Sequence, residues 1–323
     1  MRERREIGIR VKRRGGWVAL SLAALLISQA ALAGCSQSGG GQSDLQGSIT
    51  ISGSTALLPL VQHAAQLFDQ RYIHAHVDVS GGGSLHGIQA VTSHQVTIGD
   101  SDVYADPGTY PDPTLTDHLV AVIPFTMIVN PDVANVASLK HDQIIGVFSS
   151  GQYSNWQQLG GPDLPIMPVV RPPTSGTRLT FRKYVMGGRD EKGIFLKTDS
   201  SQTVLTTVAT TPGAIGYVAL SVLDKTVKPV SIDGVSATPT DIEAGRYPFW
   251  GYEHMYTLGD GNALTSAFLD YMLTPEIQGL AKNLGYIPIS QMQVGDISQP
   301  RASSAPYADV SPRAWKREEA THV

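Results

Sequence analysis

Arg171 stands four positions ahead of Ser175-Gly176-Thr177 in the run RPPTSGTRLTFR, which gathers a guanidinium, two hydroxyls and a glycine where a helix begins. A guanidinium presents a planar fork of N–H donors that suits two oxygens of a tetrahedral oxyanion. A helix N-terminus adds unpaired backbone N–H groups and the positive end of the helix dipole. Ser, Thr and Gly are also ordinary helix caps and prolines commonly precede them, so this stretch alone leaves both readings open. Three further polar turns share its character: Gly53-Ser54-Thr55, Gly81-Gly82-Gly83-Ser84 and Asp100-Ser101-Asp102. Singly they read as a cap, a flexible turn and an Asx-rich loop. Most of these turns open a helix or lead towards one, and together they make the parts of an anion site with Arg171 as its full positive charge.

The elements that must position these turns follow from hydrophobic periodicity. GSITISG at 47–53 alternates around Ile49 and Ile51 as a short strand and stops at the first turn. Leu57, Leu60, Val61, Ala64, Leu67 and Phe68 then fall at helical spacing, with Pro59 in the first turn. The scheme repeats with HVDVS as a strand, GGGS as a turn and LHGIQAVTS as a helix, and VTIGDSD follows as a third strand. LVAVIPFTMIVNP is an apolar run long enough to pass from one domain to another, broken by Pro124, and RYPFWGYEHMYT is its return crossover. A buried strand delivers Arg171, and TSGTRLTFRKYVMG continues as a helix with Phe181, Tyr184 and Val185 on its apolar face. TPGAIGYVAL is a strand, and residues 262–284 are helical. Strand–helix alternation predicts an α/β fold with largely parallel sheets, which bind ligands at the carboxyl ends of their strands.

The chain has 323 residues, 41% of them hydrophobic, and a formal net charge of -4, so it is globular and carries no nucleic-acid-binding basic face. Its start is different. MRERREIGIRVKRR is strongly basic, WVALSLAALLISQAALA is uncharged, and Leu32-Ala33-Gly34 precede Cys35, the one cysteine of the chain. A charged region before an apolar one reads as a secretory signal, and Leu-Ala-Gly-Cys resembles a bacterial lipobox, whose cysteine is lipid-modified. The Ser/Gly/Gln segment after it reads as a flexible tether. The end of the chain is polar and rich in Pro and Ser, which predicts a loosely ordered tail.

The order and spacing of the turns resemble the phosphate-binding receptor family of bacterial high-affinity phosphate ABC transporters, from about Gly47 to Pro288. Gly53-Ser54-Thr55, Gly83-Ser84, Gly99-Asp100-Ser101-Asp102, Arg171 with Ser175-Gly176-Thr177, and GAIGYV at 213–218 carry the resemblance. Asp100 departs from it where a small residue is usual, Gln95-Val96-Thr97 lacks the usual acidic residue, and WGYEHMYT differs from the usual crossover. These departures bear on affinity and anion choice.

The resemblance implies a two-lobed type II periplasmic-binding-protein fold, each lobe a mostly parallel sheet flanked by helices, with two crossovers. The expected segments are a signal peptide at 1–34, a tether at 35–46, lobe I at 47–124 with 255–293, lobe II at 125–254, and the tail at 294–323. It implies a phosphate site of Ser54, Thr55, Ala56, Ser84, Asp102, Arg171, Ser175, Gly176 and Thr177. There Thr55, Ser84, Ser175 and Thr177 donate from hydroxyls, backbone N–H groups near Ala56, Ser84, Gly176 and Thr177 add to them, and Asp102 accepts a proton of the ligand.

The expected partners are a permease and an ATPase on separate chains, since this one has neither a second long apolar span nor a Walker A motif. The expected place is outside the cytoplasm, on a bacterial membrane through lipid on Cys35, palmitate included. No catalytic residue, metal or cofactor is expected, and GxSxG, HExxH and dense Asp/His patterns are absent. His74 and His76 share a strand face and, with His63, His86 and His94, read as surface or core residues rather than ligands. The alternatives are a receptor for tungstate, molybdate or sulfate, a phosphate sensor or scaffold, and a secreted phosphatase.

Overall fold

The computed structural model describes residues 45–292. The signal segment, Cys35, the tether except its last two residues, and the tail at 294–323 lie outside the described residues. Strand β1 (Gln46–Gly53) buries Ile49 and Ile51, and helix α1 (Leu58–Arg71), with Pro59 in its first turn, buries Leu60, Val61, Ala64, Ala65 and Phe68. Strand β2 (His74–Gly81), helix α2 (Ser84–Thr92) and strand β3 (Ile98–Ser101) complete the first set. Both outer strands run parallel to β1, and Gly53 is in register with Gly81 on one side and Asp100 on the other. Three strands therefore end level, and the turns that follow them emerge at one edge.

Strand β4 (Leu115–Val129) runs through Pro124 without interruption, which corrects the expectation of a break there. The reason is a change of partner: up to Pro124 the strand pairs with β10 (Trp250–Leu258), and from Phe125 with β8 (Ala214–Ala219). The fixed φ of proline is compatible with an extended chain, and its missing N–H falls where one ladder gives way to the next. Beyond β4 come β5 (Ser138–Leu139), helix α3 (His141–Ile145), β6 (Met167–Val170), helix α4 (Gly176–Tyr184), β7 (Leu196–Lys197), helix α5 (Ser201–Thr210) and β9 (Lys228–Ile232). Helices α6 (Pro239–Glu243), α7 (Ala263–Met272) and α8 (Pro275–Asn283) and strand β11 (Ile287–Pro288) complete the α-helices and strands of the described residues.

The main path of the sheet is β2-β1-β3-β10-β4-β8-β6-β7. All antiparallel pairing between these named strands involves β4 or β10, and the outer strands on each side are parallel. The α/β alternation read from the sequence thus holds in both halves, with β4 and β10 as the antiparallel seam. β6 and β7 are also parallel, Val170 opposite Lys197, so Arg171 and Asp199 leave the sheet side by side.

Helix α4 is fixed at its base by aromatic packing. Phe181 stacks on Tyr217 at 4.2 Å between ring centroids and meets Phe148 at 5.1 Å and Phe249 at 5.8 Å. Its outer turn is held by Arg178, which donates to the two oxygens of Glu191 at 3.0 and 3.1 Å. Burial of the Phe181 ring therefore sets where the N-terminus of α4 lies. Replacing Phe181 by Ala leaves a cavity on that cluster and is expected to lower the unfolding free energy by about 3–5 kcal/mol. A urea midpoint unchanged from wild type would show that the cluster does not anchor the helix.

Candidate anion-binding site

The four turns meet at the level ends of the strands. Gly53 adopts a φ of +148°, and a Cβ there would lie 2.0 Å from the carbonyl oxygen of Asp100, so only glycine permits β1 and β3 to end this close. The Ser54 N–H then donates to that same oxygen at 3.0 Å, and Gly83 N–H to Gly53 O at 2.8 Å. Ser54 Oγ accepts from the Ala56 and Leu57 N–H groups, each at 3.0 Å, and donates to Asp102 Oδ1. On the opposite side, Ser175 caps α4 by accepting from Arg178 N–H at 3.2 Å. The capping reading of this turn is thus correct.

Asp102 lies between the two sides, 2% exposed. Its Oδ1 accepts from Ser54, its Oδ2 accepts from Thr177 Oγ1 at 2.9 Å, and its N–H donates to Ser84 Oγ at 2.9 Å. Gly176 is needed for this approach, because a Cβ there would lie 2.2 Å from Ser84 Oγ and 2.9 Å from Asp102 Cβ. Leu85 N–H donates to Thr174 O at 3.0 Å across the same gap.

Arg171, also 2% exposed, reaches the first set of turns from the end of β6. Its Nη2 donates to Thr55 Oγ1 at 3.1 Å and to Asp199 O at 3.2 Å, and its Nη1 donates to Ser201 Oγ at 3.3 Å. Nε has no partner. Burial lowers the guanidinium pKa from its usual value, opposed by Tyr217, Asp102 and Asp199, and a guanidinium keeps its charge in proteins. Asp100 is also buried, and burial first, then the charge of Asp102, pushes its carboxyl well above the usual carboxylate range. The extra negative charge that Asp100 suggests in the sequence is thus opposed by its surroundings.

The structure brings together Ser54, Thr55, Ala56, Ser84, Asp102, Arg171, Ser175, Gly176 and Thr177. It also brings in Ser201, which sequence reasoning missed. Ser201 N–H donates to Thr55 Oγ1 at 3.1 Å, and the two hydroxyls are 3.1 Å apart. The missed signal is the start of α5: Ser200 caps it by accepting from Thr203 N–H, and Val204, Leu205 and Val208 follow at helical spacing. The N-termini of α2, α4 and α5 and the turn before α1 therefore surround one guanidinium and one carboxylate. Such a group can bind a tetrahedral anion that both accepts hydrogen bonds and donates one. His63, His74, His76, His86 and His94 lie apart from it on the exposed surface, His76 paired with Asp69 at 2.9 Å.

The family model described as a PBP superfamily domain matches residues 38–276. The phosphate-binding protein PstS of Bacillus subtilis (strain 168) is 43% identical over 262 residues, covering 80% of this chain and 86% of that protein. A solved phosphate ABC transporter substrate-binding protein of Clostridium perfringens, with bound phosphate, superposes with a TM-score of 0.71 at 26% identity, over 75% of this chain and all of that one. An ABC-type phosphate transport receptor of Vibrio cholerae gives a TM-score of 0.61 at 26% identity, over 74% of this chain and 99% of its own. On the extent of these matches, the chain belongs to the PBP superfamily and, within it, to the family of the phosphate-binding protein PstS.

Proposed function

We propose that this protein captures inorganic phosphate and hands it to an ABC transporter permease. The observation that carries the proposal is the pairing of one buried cation, Arg171, with one buried acceptor, Asp102, amid hydroxyls and helix N-termini. Arg171 takes two phosphate oxygens. Thr55, Ser84, Ser175 and Thr177 donate hydroxyl hydrogen bonds, Ser201 joins them, and backbone N–H groups near Ala56, Ser84, Gly176 and Thr177 contribute to the same cradle. Ser54 serves by holding the turn and Asp102 in place.

Asp102 sets the choice of anion. A carboxylate repels an anion unless the anion brings a proton to donate. Mono- and dibasic phosphate both carry one near neutral pH and sulfate does not, so sulfate would meet an unpaired clash of lone pairs. A tungstate or molybdate receptor would be exposed by a competition panel.

The two lobes we assign are 47–124 with 255–293, and 125–254. The change of partner along β4 at residues 124 and 125 supports a boundary there. Closing of one lobe on the other, with β4 and β10 as the connections, would bring Arg171 and Thr177 to Thr55 and Asp102. Binding rather than catalysis is supported by the relatives, which are named for phosphate binding and transport. A chromogenic phosphate ester, with and without divalent metals, tests the phosphatase alternative. A place outside the cytoplasm, on a bacterial membrane by lipid on Cys35, rests on the sequence before that cysteine. A permease and an ATPase on separate chains complete the transporter.

Arg171→Ala is expected to weaken phosphate binding by roughly a hundredfold, about 3 kcal/mol, because buried charge-assisted hydrogen bonds are lost. Asp102→Asn is expected to admit sulfate. Titration calorimetry of the full chain with both anions measures each effect, and equal binding of sulfate and phosphate by wild type would sink the reading. Cys35→Ala is expected to move the protein from the membrane fraction to the soluble one, read by fractionation of expressing cells.

A further inference from the structure

Glu253 is a fully buried acid that the phosphate scheme leaves without a task. It lies on β10, next to the irregularity that this strand makes against β4 between Glu253 and His254. The pairs His254 with Ser101 and Met255 with Asp100 place β10 directly beside β3, the strand that leads to Asp102. Continued by one residue, this antiparallel register sets Glu253 beside Asp102, and the charge of Asp102 acts on the Glu253 carboxyl. Yet neither oxygen of Glu253 has a donor among the described residues. Two ionised carboxylates can only accept and repel each other, so two buried neighbours of this kind are relieved by a proton on one of them. Asp102 already receives hydroxyl hydrogen bonds from Ser54 and Thr177 while Glu253 receives none, so the proton belongs on Glu253.

We propose that Glu253 is a positioning residue for the anion acceptor: it carries a proton, donates it to Asp102 in a hydrogen bond, and leaves Asp102 as the charged carboxylate of the pair. In its effect on binding this inference rests on the phosphate reading. The groups around Glu253 agree with it. Burial is the largest influence, followed by Asp102 and Asp100, and all three push its carboxyl well above the usual glutamate range. Tyr286 stands close on another side, and its hydroxyl donates to Ala56 O. From β4 the register partner is Ala121, while Asp117 is engaged with His254 at 2.9 Å and His118 with Thr257. Helix α2 packs on β10 and offers only the exposed His86. No lysine or arginine stands among these groups to offset a second negative charge.

Loss of the Glu253 proton would set two carboxylates behind the ligand, so phosphate affinity should fall as pH rises through the release of that proton. A glutamine keeps a neutral donor and cannot ionise. Phosphate affinity of Glu253→Gln is therefore expected within about threefold of wild type at neutral pH, and that of Glu253→Leu about tenfold or more weaker, as for loss of one hydrogen bond to a charged group. The ratio of wild-type to Glu253→Gln dissociation constants cancels the ionisation of phosphate itself and should rise with pH.

Calorimetry on the full-length proteins across neutral and alkaline pH reads these ratios. The infrared difference spectrum between wild type and Glu253→Gln should show the carbonyl band of a buried protonated acid, whether or not phosphate binds. Stability gives a second readout that a merely space-filling role would not move. The folded chain holds the proton above the pH where the unfolded chain releases it, so wild-type stability should decline with rising pH in that range more steeply than that of Glu253→Gln. Absence of the acid band, or parallel pH profiles for the two proteins, overturns the proposal. Failure of wild type to bind phosphate would instead count against the transport reading, while the infrared band still decides where the proton is.

Discussion

The arrangement depends on burying a carboxylate where a second anion is to bind. Asp102 is 2% exposed and close to the end of a strand, where a buried carboxylate needs hydrogen-bond donors. What keeps it useful as an acceptor is the direction of its neighbours' hydrogens. Ser54 and Thr177 both point hydroxyl donors at it, and they come from opposite sides of the site. The same two bonds therefore join the turn after β1 to the N-terminus of α4. In the proposed function, the carboxylate that fastens these two parts of the chain together is also the group that a phosphate proton would address.

Much of the fold exists to let backbones meet at this point. Gly53, in register with Asp100, allows β1 and β3 to end level, and Gly176 allows α4 to approach Ser84 and Asp102. On the far side, β6 and β7 run parallel so that Arg171 and the segment before α5 depart together, and Arg171 donates to the Asp199 carbonyl of that segment and to the hydroxyl of Ser201, the first residue of α5. Each contact is short-range, but each is placed by a strand register tens of residues away in sequence. The aromatic cluster around Phe181 holds the outer helix against this register.

The first strand–helix units were legible in the sequence because burial alternates cleanly along β1 and at helical spacing along α1. The candidate residues from Ser54 to Thr177 were legible through their types and order, and the structure gathers them. Pro124 misled because a proline reads as a break, whereas here it sits where one strand changes partners. Ser201 was missed because serines before a helix are commonplace, and only the parallel pairing of β6 with β7 carries this one to Arg171 and Thr55. Asp100 and Glu253 show a deeper limit. A sequence gives an acidic residue its charge by default, and only burial beside Asp102 reveals that both carboxyls are driven towards the protonated form.

That protonation bears on why so acidic a cluster can stand beside an anion site at all. Arg171 brings a guanidinium to these turns through Thr55 and Ser201, while Asp102 stands beside two further buried acids, Asp100 and Glu253. All three are buried, and burial of Asp100 and Glu253 next to the charge of Asp102 makes their ionisation unfavourable. The cost of burial thus falls on groups that can shed their charge by keeping a proton, while Asp102 receives hydroxyl hydrogen bonds from Ser54 and Thr177. Charge in this site is set less by how many acidic residues the chain contains than by which of them the strand ends supply with hydrogens.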